Sequence, residues 1–113
     1  YHPMLRLEKT KESAYDISLL QGEVDASNSV ELDQVIKELI DSGSKMILVD
    51  GSQLEYISSA GLGVFMSYLE DFQDQDIRFK ISDLNPKVFE VFKILGLDQL
   101  IPIYPTKSEA LAN

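Results

Sequence analysis

Met46-Ile47-Leu48-Val49-Asp50-Gly51-Ser52, and after it Tyr56-Ile57-Ser58-Ser59-Ala60-Gly61-Leu62-Gly63-Val64, is the stretch that decides the fold. Its first four residues are apolar without alternation, the pattern of a central strand covered on both sides. Asp50 is expected to break that strand. The second part leads through two hydroxyls and two glycines into a helix whose apolar stripe is Leu62, Phe65, Leu69 and Phe72. A buried strand handing over to a helix is the repeating step of an α/β domain.

The same grammar extends in both directions. Upstream, Leu5 and Leu7 alternate with Arg6 and Glu8, and Tyr15, Ile17 and Leu19 alternate with Asp16 and Ser18. These are two strands, the second ending near Gly22, and the polar run Lys9–Ser13 reads as the turn of a hairpin. Asn28 with Glu31 has capping-box spacing, and Leu32, Val35, Ile36, Leu39 and Ile40 give the buried face of a helix that Gly43 ends. Downstream of the polar break at Asp74–Asp76, Ile77, Phe79 and Ile81 alternate with Arg78 and Lys80, a strand with one solvated face. Asn85 caps a helix with Pro86 at its first position. Val88, Val91, Phe92 and Leu95 form its buried face, and Gly96 ends it. Leu100–Tyr104 is a last short strand, placed at an edge by Pro102. Thr106 with Glu109 starts a short terminal helix. The order is β-β-α-β-α-β-α-β-α: a small α/β domain with a mixed four- to five-stranded sheet and about four helices.

Composition bounds what such a domain does. The 113 residues suit one domain, residues 1–113, and leave no room for a second core. Residues 1–3 are expected to be a trimmed end or a mobile terminus. There is no cysteine, so disulfides and thiolate metal sites are excluded, and the single histidine, His2, is a poor basis for a metal site or a Ser-His triad. Lys plus Arg is 10 and Asp plus Glu is 19, a net charge of −9, which argues against nucleic acid and anionic membrane as partners. The longest apolar run, Met46–Val49, is far short of the ~20 residues of a membrane span. No secretory signal is visible, and the expected compartment is cytoplasmic.

Three features bear on chemistry. Asp50 ends a central strand, where ligands gather in open α/β sheets. A phosphoacceptor aspartate of a receiver domain sits in such a place, but the acidic pair that would hold magnesium is missing after the first strand. The plainer reading of Asp50 is a hydrogen-bond acceptor that orders the following loop. Gly22-Glu23-Val24-Asp25 brings two carboxylates to a turn; it reads as a solvated connection more readily than as a cation site. Ser58-Ser59-Ala60-Gly61-Leu62-Gly63 puts a hydroxyl at a helix start, where free N–H groups and the helix dipole favour an anion. Two readings stay open there: a serine that caps the helix, and a serine that accepts a phosphate of about −1.5 to −2 charges. No G-x-S-x-G motif and no base accompany it, so an enzyme is not expected and no cofactor or metal is called for.

Together these residues resemble the STAS-domain family, specifically its bacterial anti-sigma-factor antagonists. Gly22-Glu23-Val24-Asp25 is similar to the family's G-E-[LI]-D, Val49-Asp50-Gly51-Ser52 to its L-D-L-S, and Tyr56–Val64 to its D-S-[ST]-G-L-G-V helix start. The resemblance implies that Ser59 is the serine phosphorylated by a partner kinase. It places Asp25 and Asp50 near that serine, and makes Asp25, Asp50, Ser58, Ser59, Gly61 and Leu62 the partner-binding residues. Ser58 stands where the family has Asp, which removes a charge beside the acceptor and makes Ser58 the alternative phosphorylation site. The implied partners are an ATP-dependent anti-sigma factor serine kinase and a PP2C-type serine phosphatase. Binding of the unphosphorylated domain frees the sigma factor, and phosphorylation ends the complex. The competing expectation is a STAS scaffold or regulatory domain of another assembly, such as a stressosome or a lipid or anion transporter.

Overall fold

The computed structural model describes residues 4–113; the expectations for residues 1–3, His2 included, fall outside them. The strands are β1 (Leu5–Glu12), β2 (Tyr15–Val24), β3 (Met46–Ile57), β4 (Arg78–Ser82) and β5 (Ile103–Tyr104). They form one sheet in the order β1-β2-β3-β4-β5. β1 is antiparallel to β2, and the remaining neighbours are parallel. The helices are α1 (Ser29–Asp41), α2 (Ser59–Ser67), α3 (Leu69–Asp74), α4 (Pro86–Ile94) and α5 (Lys107–Ala112), with a 3₁₀ turn at Leu97–Gln99. The expected order holds, with the helix after Ser58 broken at Tyr68 into α2 and α3.

Strand order follows sequence order, so each parallel step from β2 to β5 is a crossover of the same hand. That rule puts the crossover helices α1, α2, α3 and α4 on one face. There Leu32, Ile36, Leu62, Phe65, Phe72, Val88 and Phe92 meet Leu20, Val49, Phe79 and Ile81 of the sheet in the main core. Phe65 sits at its centre, with ring centroids 5.9 Å from Phe79 and 5.8 Å from Phe92. The opposite face is covered by α5, over Tyr15, Ile17 and Leu48.

Four local expectations are corrected. The run Lys9–Glu12 is strand, because β2 offers it partners as far as Glu12↔Tyr15; the hairpin turn is Ser13-Ala14, both at positive φ. Asp50 does not end β3, which runs on to Ile57 because β2 continues beside it to Val24. Lys80 is on the predicted face but only 6% exposed. Its ammonium donates to Ala110 O at 2.8 Å and to Asn113 O, and lies over the rings of Tyr15 and Tyr104. The carbonyl end of a helix and two aromatic faces are favourable surroundings for a cation. Leu95 is exposed, since α4 has ended before it, and Leu97 takes the buried place.

Candidate functional site

The site is built where β2 and β3 end together. Val24 pairs with Ile57, and Ser58 N donates to Val24 O at 2.9 Å, so the chain leaving β3 is pinned before α2 begins. Gly61, in the first turn of α2, then seats the helix on the sheet. A Cβ there would lie 2.7 Å from both Ile57 Cγ1 and Val24 Cγ1, closer than real Cβ contacts come. Leu62 and Phe65 continue the buried side into the core. At the far end, Tyr68 Oη donates to Asp33 Oδ1 at 2.8 Å and ties the α2–α3 joint to α1. Burial first, and the Asp33 carboxylate second, hold the Tyr68 phenol well above its ordinary pKa, so it stays a donor.

This seating divides the two serines. Ser59 is the first residue of α2 and is exposed. Ser58 holds the N-cap position with extended backbone, and its carbonyl accepts from Leu62 N at 3.0 Å. Its hydroxyl makes no capping bond, has no hydrogen-bond partner among the described residues, and is buried. The outward face of α2 is Ser59, Gly63, Met66 and Ser67, all exposed. No Asp, Glu, Lys or Arg occurs from Ile57 to Leu69.

The loop from β2 to α1 lies alongside. Asp25 follows Val24 and accepts from Ser27 N at 2.8 Å and from Ser27 Oγ at 2.6 Å. The Ser27 hydroxyl is the main reason that its carboxyl lies below the ordinary carboxylate value. Asn28 is buried, and its side chain does not cap α1 as its spacing suggests. Its carboxamide turns back, donating to Glu23 O and accepting from Asp25 N, both at 2.9 Å, and so braces the loop. That brace was not read from the sequence; the signal for it is an Asn three residues after an Asp at a strand end.

The expected site residues therefore separate. Ser59 and Asp25 lie at the same end of the sheet. Asp50 pairs with Leu19, five β2 positions before Val24, a rise of roughly 17 Å along a strand. Its carboxylate accepts from Ser52 N at 2.9 Å, so it is a hydrogen-bond acceptor as the plainer reading has it, but the bond lies within β3 and no loop follows for it to order. Gly61 and Leu62 are buried and support α2 from beneath. Among the described residues, no group of three or more His, Asp or Glu is gathered as a metal site would need. No helix among them is long and apolar enough to cross a membrane.

The STAS domain family model matches residues 10–110, which include the whole of this site. The chain belongs to the STAS domain family. It is 30% identical over 108 residues to BtrV of Bordetella bronchiseptica, described as an anti-sigma factor antagonist, covering 96% of this chain and 93% of BtrV. The STAS fold is matched by an anti-sigma factor antagonist of Mycobacterium paratuberculosis at a TM-score of 0.88 and 22% identity, covering 96% of this chain and 92% of that one. It is matched again by the Bacillus cell fate determinant SpoIIAA, solved in phosphorylated form, at a TM-score of 0.71 and 21% identity, covering 96% and 97%. At those identities the two structures establish the fold.

Proposed function

We propose that this STAS domain is an anti-sigma-factor antagonist whose binding is switched at Ser59. Unphosphorylated, it docks on an anti-sigma factor that is also an ATP-dependent serine kinase, and the sigma factor is released. The kinase transfers a phosphoryl group to the Ser59 hydroxyl and the complex ends; a PP2C-type serine phosphatase restores the hydroxyl. The domain acts as ligand and substrate. The observation that carries this reading is the contrast at the helix start: Ser59 is exposed on an uncharged face, and the neighbouring Ser58 hydroxyl is buried. The relatives' description as anti-sigma factor antagonists supports it, as does the existence of SpoIIAA in a phosphorylated form.

The physics of the switch is simple. A phosphate on the first residue of α2 meets uncapped N–H groups and the positive end of the helix dipole, so the isolated domain tolerates it. Within a protein interface the same dianion must lose its water, and a buried charge without a partner costs several kcal/mol. The test is mass spectrometry after incubation with ATP and an anti-sigma factor serine kinase from the same organism. One phosphate mapped to Ser59, and none on a Ser59→Ala variant, is the expected result. Phosphate on Ser58, or none anywhere, overturns the assignment.

A further inference from the structure

The two glycines of α2 differ in what they do for the fold. Gly61 is required from within, because a Cβ would strike Ile57 and Val24. Gly63 is not: nothing lies within 4 Å of where its Cβ would be, its backbone is helical, and it faces outward. A glycine inside a helix is less favourable than alanine by about 1 kcal/mol, and no contact among the described residues explains its presence. Three residues further along the same face, Met66 is 48% exposed. The face carries no charge, although α1 presents Glu31, Lys37, Glu38 and Asp41, and α4 presents Lys87, Glu90 and Lys93. An uncharged patch with an exposed methionine shares two features of an interface centre, depletion of charge and the use of Met.

We propose that Gly63 is the point of closest approach for the anti-sigma factor kinase that reads Ser59, and that Met66 is its apolar anchor. This inference rests on the function proposed above. The occupant follows from reach. Gly63 is four residues beyond Ser59 and Met66 seven, about 6 and 10 Å along a helix. A protein that covers the Ser59 hydroxyl with a standard footprint of about 800 Å², roughly 16 Å in radius, covers both. At Gly63 the partner's atoms pack against bare helix backbone, where a methyl group would hold them off. Met66, flexible and polarizable, fills a cavity on the partner. Ser59 then lies inside the contact, where added charge has the largest effect.

The test compares the full chain with its Gly63→Ala, Met66→Gln and Ile94→Ser variants. Each is measured for thermal unfolding and for affinity to an anti-sigma factor serine kinase from the same organism, with ADP present. Ile94 is an exposed apolar control at the other end of α4 from Asn85. Gly63→Ala is expected to raise the unfolding midpoint by several degrees and to weaken binding at least about tenfold. Met66→Gln is expected to weaken binding about fivefold or more with the midpoint little changed, and Ile94→Ser to bind as the parent does. Binding by Gly63→Ala and Met66→Gln at the parent's affinity overturns this inference and leaves the antagonist reading standing. No binding by the parent chain overturns both.

Discussion

At the start of α4, Asn85 accepts from Val88 N at 2.8 Å and donates to Leu54 O at 3.1 Å, and Pro86 takes the first helical position. At the start of α2, Ser58 holds the equivalent position, also with extended backbone, and its hydroxyl has no hydrogen-bond partner among the described residues. A side-chain cap satisfies one of the N–H groups that every helix start leaves free. α4 uses that device and α2 forgoes it, with an exposed hydroxyl one residue further on. On the function proposed above, the start of α4 serves stability and the start of α2 serves the presentation of Ser59. Local rules that a sequence could satisfy and does not are concentrated at functional sites. α2 is held instead by its buried side: the close seat of Gly61, the Leu62 and Phe65 side chains, and the Tyr68–Asp33 bond.

That contrast can be broken from either side. The largest effect is expected where α2 is seated. Gly61→Ala forces a methyl group onto Ile57 and Val24 and is expected to destabilise the domain by about 1–3 kcal/mol, read from urea unfolding. Next comes the start of α4. Asn85→Ala removes a cap and a bond to Leu54 O, a loss of about 1–2 kcal/mol in the same measurement. Ser58→Ala sharpens the comparison, because no bond is lost there; stability is expected to change by less than about 0.5 kcal/mol. A loss at Ser58 as large as that at Asn85 would mean that the two helix starts are alike after all.

The smallest effect concerns the loop beside the site. Asp25 has a lowered pKa, so the native state holds its proton less readily than the unfolded chain does. Its contribution to stability is complete above the ordinary value and fades as pH falls through the lowered one. Ser27→Ala removes the main cause and is expected to move the Asp25 titration up toward 3.8, followed by carboxyl NMR shifts. An unmoved midpoint would contradict the assigned cause.

Much of this was legible in the residues. Period and punctuation placed the helices apart from the break at Tyr68 that divides α2 from α3, because the stripe Leu32–Ile40 and the Asn85-Pro86 start are local signals. What failed was set by partners distant in sequence. Lys9–Glu12 is strand because β2 lies beside it, and Asp50 stays in β3 for the same reason. Lys80 alternates as a solvated residue should, and α5, thirty residues later, closes over it. Asn28 has the spacing of a cap, but the carbonyl of Glu23 and the N–H of Asp25 draw its side chain backward. At the site, the motif gave the helix start without dividing its roles. Only the packing of Gly61 shows that Ser59 faces out, that the Ser58 hydroxyl is buried, and that Leu62 lies in the core. The distance between Asp50 and Ser59 depends on how far β2 and β3 run together, which no motif records.

One titration bears on the centre of all this. The chain phosphorylated on Ser59 and the unphosphorylated chain are each titrated calorimetrically into an anti-sigma factor serine kinase from the same organism, the partner proposed above, with ADP present and at fixed salt. Micromolar or tighter binding of the unphosphorylated chain is expected, with the phosphorylated chain about 10³-fold weaker, a difference of about 4 kcal/mol. Affinities within threefold of each other would contradict a switch at Ser59.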